Sequence, residues 1–108
     1  ATHFSYVFAI TPCKGLICTG GGDGLIKVWN RSSLQFQAKL SGHRGCVMAL
    51  AAKEDSNAST LYSGSTDGTV RVWDLQAMVC RRTLPGPSDV LCLALSPRFL
   101  VAGHASGC

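Results

Sequence analysis

Charge is scarce in this chain: Asp, Glu, Lys and Arg together make up 15% of 108 residues, and the net charge at pH 7 is only +4. Disorder of the usual kind, which needs low hydrophobicity and high net charge, is excluded, because 46% of the residues are apolar. The ten Lys and Arg are scattered, with Arg81-Arg82 the single adjacent pair. The dense basic face of a nucleic-acid binder is therefore lacking, and no specific nucleic-acid partner is expected. No apolar run approaches the ~20 residues of a membrane helix. No charged-then-apolar leader opens the sequence, so a soluble chain without a membrane partner is expected. Also lacking is any Cys-x-x-Cys pair, although six cysteines are present, at 13, 18, 46, 80, 92 and 108. Five of them sit in or beside apolar runs, as in Leu16-Ile17-Cys18 and Leu91-Cys92-Leu93, where free Cys acts as a small buried hydrophobe. That usage points to a reducing compartment, cytoplasmic or nuclear. The sequons Asn30-Arg31-Ser32 and Asn57-Ala58-Ser59 fit secretion equally well by chance.

What is present is a repeat. The segment from Leu16 through Asp23-Gly24 to Trp29-Asn30 recurs from Leu61 through Asp67-Gly68 to Trp73-Asp74. Asp23 and Asp67 stand 44 positions apart, as do Trp29 and Trp73. A third, partial copy runs over Leu100 to Gly107, with Gly103 and Gly107 each 39 positions after Gly64 and Gly68. Variation of a few residues in repeat length places the insertions in loops. The chain divides into a first unit at 1–40, a central and most complete unit at 41–84, and a partial one at 85–108.

The local physics of each unit is β. Tyr6 to Ile10 and Val90 to Leu95 are short and almost wholly apolar, and read as strands buried on both faces. Thr69 to Trp73 alternates, as a half-exposed strand does. Asp-Gly lies between the two kinds of strand and signals a tight hairpin, since Gly accepts positive φ. Gln35 to Leu40 and Val79 to Leu84 read as outer strands whose Lys39, Arg81 and Arg82 guard a sheet edge against further pairing. Each unit reads as a four-stranded antiparallel sheet, and helical periodicity is lacking.

With Gly42-His43 opening the central unit and Trp73-Asp74 closing its third strand, the repeats resemble WD repeats across essentially the whole chain. The resemblance implies an all-β, WD40-type β-propeller segment of four-stranded antiparallel blades forming an incomplete ring. Propellers use ~4–8 blades, and about two and a half are present. A fragment of a longer chain is therefore expected, or association with other blades or copies. The resemblance also implies a hydrogen-bonded tetrad inside each blade: His43, Ser63, Asp67 and Trp73 in the central copy, and His3, Thr19, Asp23 and Trp29 in the first. There Thr2 replaces the usual Gly and Asn30 the usual Asp. The third copy departs, with Pro85-Gly86 near the Gly-His place, Ala102 for the hydroxyl and Ser106 for the carboxylate, so no tetrad is expected in it.

Function is expected at a surface, because the chemical candidates have simpler structural readings. His43, Ser63 and Asp67 match a catalytic triad in type, but a triad needs an exposed nucleophile beside an oxyanion hole, and these positions correspond to a buried structural network. Cys46 follows His43 by three residues and precedes a buried strand, which makes it a core or rim cysteine. Gly20 to Gly24 lacks the Gly-Lys-Ser/Thr of a phosphate loop and the helix behind it. His3, His43 and His104 are too dispersed for a metal site, and no cofactor is expected. The polar loop at Lys53 to Thr60, longer than its counterpart at Pro12 to Gly15, is a solvated insert that could carry a partner or phosphorylation site.

By resemblance, the binding face is formed by the fourth-to-first strand connections and the second-to-third hairpins. Phe4, Arg44, Gly45, Gly21, Ser65, Ser88 and Asp89 match those places. Arg44 and Phe4 are the first choices, since Arg and aromatic side chains most often anchor interfaces. The implied function is a non-catalytic scaffold for a protein or peptide partner. The alternatives are the non-catalytic propeller of a larger enzyme, such as a ubiquitin ligase or peptidase, and a self-assembling partial propeller.

Overall fold

A computed structural model describes residues 6–54, 59–86, 88–95 and 100–104. Ten strands follow one another in chain order, and no helix occurs among the described residues. The first sheet comprises β1 (Val7–Cys13), β2 (Leu16–Gly21), β3 (Ile26–Asn30) and β4 (Phe36–Leu40). The second comprises β5 (Val47–Glu54), β6 (Ser59–Ser65), β7 (Thr69–Asp74) and β8 (Val79–Pro85). Strands β9 (Val90–Leu95) and β10 (Leu100–His104) pair as a third sheet. Each sheet is a plain antiparallel meander in sequence order.

Turn chemistry fixes the register. In the first hairpin Cys13 pairs with Leu16, leaving Lys14 and Gly15 as a two-residue connection with Lys14 at φ 53°. Positive φ at the first central residue suits the right-handed twist of paired strands. The Asp-Gly connections are longer than the tightest hairpin. Thr66, Asp67 and Gly68 join β6 to β7, with Gly68 N–H donating to Ser65 O at 3.1 Å and Gly68 at φ 85°. Gly24 does the same work between β2 and β3, at φ 78°.

The core forms where sheets face each other. Cys13, Cys18, Ile26, Val28, Leu40, Val47, Leu61, Trp73 and Leu75 pack as one cluster. The first strands β1, β5 and β9 lie side by side, with β2 also against β5 and β6 against β9. Close approach depends on two glycines: a Cβ at Gly20 would stand 2.9 Å from Val47 Cβ, and one at Gly64 would stand 3.1 Å from Val90 Cβ. The first distance is shorter than real Cβ atoms show and the second is tighter than ordinary contact, so the valines sit over bare backbone.

One strand departs from the sequence reading. The run Tyr6 to Ile10, read as buried on both faces, is largely open to solvent, with Tyr6 81% exposed and Ile10 68%. Its apolar character suits a strand between two sheets, and among the described residues the neighbouring sheet that packs on it is that of β5. Outer strands carry charge as expected: Lys39 on β4 and Arg81 and Arg82 on β8 are exposed.

Candidate functional site

The β2–β3 and β6–β7 hairpins and the inter-sheet connections gather at one end of the sheets and are hydrogen-bonded to one another as a rim. The connection from β4 to β5 lies between the β2–β3 and β6–β7 turns. Cys46 N–H donates to Thr66 Oγ1 at 2.9 Å, Thr66 N–H to Cys46 O at 3.0 Å, and the Cys46 thiol reaches Gly22 O at 3.6 Å. Gly24 lies under His43 and Gly45, where a Cβ would stand 2.9 Å from Gly45 O. The next connection is tied likewise, through Gly86 N–H to Gly68 O at 2.8 Å.

Beneath this rim the central sheet holds a directed chain of hydrogen bonds. Trp73 Nε1–H donates to Ser63 Oγ at 2.8 Å. Ser63 Oγ lies 2.6 Å from His43 Nε2, and His43 Nδ1 lies 3.0 Å from Asp67 Oδ2. With Nδ1 carrying the ring proton, every donor has an acceptor: Ser63 donates to Nε2, and Nδ1–H to Asp67. Asp67 also accepts from Arg44 N–H at 2.9 Å, Thr69 N–H at 2.9 Å and Thr69 Oγ1–H at 2.6 Å. Thr69 escaped the sequence reading. The Asp-Gly-Thr order was its signal, since a hydroxyl two residues after a turn carboxylate can donate back to it.

Electrostatics follow from that wiring. Burial opposes ionisation of Asp67, but the Thr69 hydroxyl, the Arg44 amide, the His43 ring and the Thr69 amide outweigh it and hold its pKa well below the usual carboxylate range. Burial lowers the pKa of His43, outweighing the hydrogen bond and charge of Asp67, while the Arg71 charge pushes the same way. The His43–Asp67 contact is therefore a hydrogen bond donated by a neutral imidazole to the carboxylate at neutral pH, although its length also suits an ion pair.

The first sheet holds part of the same arrangement. Trp29 Nε1–H donates to Thr19 Oγ1 at 3.0 Å, and Asp23 Oδ1 accepts from Leu25 N–H at 3.1 Å. His3, and Thr2 before it, lie outside the described residues, as do Ser106 of the third copy and Phe4 of the rim set. At the opposite end of the sheets, Asp74 Oδ1 accepts from Gln76 and Ala77 N–H at 2.8 and 3.2 Å. Asn30 Oδ1 accepts from Ser32 and Ser33 N–H, both at 2.9 Å. An amide oxygen caps this turn as a carboxylate does, which is why Asn stands where the resemblance expects Asp. Asp74 alone adds a charged partner: Arg81 Nη2–H donates to its Oδ2 at 2.7 Å and depresses the Asp74 pKa.

The remaining rim candidates separate by exposure. Arg44 is exposed, and Gly45, Ser88 and Asp89 are half-buried. Ser65 is fully buried, its hydroxyl accepting from Asp67 N–H at 3.1 Å, and Gly21 is buried too. Both shape the hairpins from below, and neither offers an atom to a partner as the sequence reading expected. The hairpin positions one step further on, Gly22 and Thr66, are half-buried. Among the described residues no group of His, Cys, Asp or Glu is arranged to hold a metal ion, and no helix is long and apolar enough to cross a membrane.

Comparison with known proteins agrees with this architecture. The model of the WD domain, G-beta repeat, matches residues 1–30 and 34–74. The Periodic tryptophan protein 2 homolog of Schizosaccharomyces pombe is 40% identical over 91 residues, covering 82% of this chain and 10% of that protein. The small ribosomal subunit protein RACK1y of Oryza sativa subsp. japonica is 40% identical over 68 residues, covering 63% of this chain and 20% of that protein. Among solved structures, the RRP9 WD40 repeats superpose with a TM-score of 0.84 at 30% identity, over 94% of this chain and 32% of that one. The chain thus spans a tenth to a third of the length of these proteins. Repeat spacing, blade-like sheets and family match converge: this chain belongs to the WD40 family of β-propeller proteins.

Proposed function

We propose that the chain is a non-catalytic platform for a protein or peptide partner, anchored on the rim at Arg44. One observation carries the reading. The backbone of Arg44 is held by the half-buried Asp67 of the β6–β7 turn, its N–H donating to Oδ2 at 2.9 Å, while its side chain stands exposed. A long cationic side chain on a rigid base loses less conformational freedom on binding than one on a mobile loop. WD40 repeat proteins act generally as interaction scaffolds, which supports a surface role. Against a hydrolytic one stands Ser63, fully buried and bonded to both Trp73 and His43, with no face for a substrate. A cytoplasmic or nuclear setting fits the free, buried thiols of Cys13 and Cys18 and the small ribosomal subunit protein among the relatives.

The test compares the chain with its Arg44→Ala and Arg82→Ala variants as immobilised baits in cell extract, with quantitative mass spectrometry of what is retained. The expected result is a protein retained by the parent and by Arg82→Ala and depleted at least tenfold by Arg44→Ala. Equal retention by all three baits refutes Arg44 as the anchor.

A further inference from the structure

Thr83 on β8 stands directly opposite Arg71 on β7, and cross-strand partners share one face of a sheet. Cys80 joins them on that face. Residues three apart in a regular strand point to opposite sides, but the register slips between Cys80 and Arg82 and leaves Arg81 as the extra residue of a bulge. Arg71 Nη1–H donates to the Cys80 sulfur at 3.7 Å, and Thr83 Oγ1 lies 3.8 Å from the same sulfur. Bare backbone backs the guanidinium, since a Cβ at Gly42 would stand 2.6 Å from Nη1. Arg71 is half-buried, yet among the described residues no carboxylate pairs with it and its buried Nε has no hydrogen-bond partner. Buried polar groups without partners are rare in folded proteins. The repeat does not impose this pair: the matching positions of the first sheet are Lys27 and Lys39.

The segment around Thr83 has the form of a kinase substrate. Arg81 and Arg82 precede the hydroxyl and Leu84 follows it, and all four residues are exposed. Charge patterns of this kind are what arginine-directed protein kinases read. Strand β8 pairs only with β7, so the stretch is extended and its other edge is open. Ser33 also has an arginine two positions before it and a leucine after it, but it lies in a tight turn with Leu34 at φ 60°. We propose that Thr83 is a phosphorylation site and that Arg71 receives the phosphate. The Thr83 oxygen attacks the γ-phosphorus of a kinase-bound ATP. The bond from that phosphorus to the β–γ bridging oxygen breaks, ADP leaves, and the hydroxyl proton passes to the kinase's base. The product sets three acceptor oxygens and a charge of about −1.5 to −2 opposite the guanidinium, whose planar fork suits a phosphate. The outermost strand is then tied to its neighbour through the side chains as well as the backbone.

Incubation of the chain with Mg·ATP and each of a panel of arginine-directed serine/threonine kinases tests this, with tandem mass spectrometry to locate the phosphate. The expected result is phosphorylation at Thr83, with total incorporation at least tenfold lower in Thr83→Ala. No incorporation by any kinase, or incorporation at Ser33 or elsewhere in place of Thr83, overturns the proposal. Phosphorus NMR titration reads the part of Arg71, against a phosphopeptide spanning 79–85 that holds Arg81 and Arg82 but not Arg71. The phosphate of the folded chain is expected to titrate at a pH lower by ~0.5 or more than that of the peptide, because a facing cation favours its dianion. In Arg71→Gln that difference is expected to vanish. Equal titration in chain and peptide, or a difference that survives in Arg71→Gln, overturns the part given to Arg71. Far-UV circular dichroism verifies folding, and Arg71→Met replaces Arg71→Gln if the amide prevents it.

Discussion

Asp67 joins two jobs in one carboxylate. Oδ2 receives the His43 ring and the Arg44 amide, while Oδ1 receives the Thr69 amide and hydroxyl. Removing it leaves those donors without an acceptor near the base of the rim. Asp67→Ala is therefore expected to lower stability by about 1–3 kcal/mol, read by urea unfolding. A change under ~0.5 kcal/mol would show that water replaces the carboxylate freely. Acid acts on the same network. His43 has a folded pKa below its ordinary 6.5, so between those two values the unfolded chain binds a proton that the folded one refuses. Stability is then full above pH 6.5 and falls as pH drops through the folded pKa. Asp67 adds a second loss below 3.8, where the unfolded carboxylate protonates first. The melting temperature is expected to decline from pH 7 to pH 5, and His43→Gln should flatten that decline. Burial also pushes the Cys18 thiol up to about 12, aided by Cys13, whose own pKa is raised chiefly by burial. Both are expected to resist iodoacetamide in the folded chain and react on unfolding, whereas the half-buried Cys46 and Cys80 should label sooner. Peptide mapping after a timed pulse distinguishes the two classes.

Among the elements, contact between sheets depends on absence of side chain. Gly20 and Gly64 sit in strands, where Gly is ordinarily a weakness, yet Val47 and Val90 occupy the space each leaves. Gly20→Val is expected to force the first two sheets apart and cost about 1–3 kcal/mol. Adding Val47→Ala should recover part of that loss, giving a coupling energy of at least ~0.5 kcal/mol in a double-mutant cycle. Strict additivity would mean that the two residues do not meet. The Val–Gly pairing was not legible beforehand, because it joins residues 27 and 26 positions apart in different sheets. Hairpin positions were legible, since Asp-Gly needs only local sterics. Their loop lengths were not, as they depend on where strand pairing stops.

Across the whole molecule, rigidity and recognition separate. Arg44→Ala removes an exposed side chain but keeps the amide that Asp67 holds. Its unfolding free energy is expected to stay within ~0.5 kcal/mol of the parent, measured by the same urea titration that reports on Asp67→Ala. A reversed ranking would mean that Arg44 stabilises the fold rather than serving a partner. By itself the sequence determined the repeat, the all-β class, the order of strands and the residue types of the polar network. The repeat, the all-β class and the order of strands follow from spacing, alternation and turn residues, and the polar network from the resemblance to WD repeats. Only the tertiary structure decided that the apolar Tyr6–Ile10 run lies open, that Ser65 and Gly21 are buried, and that Asp67 fixes the backbone of Arg44. The physical reason is that burial belongs to pairs of surfaces: a strand's composition states what it can cover, and only its neighbours settle whether it is covered.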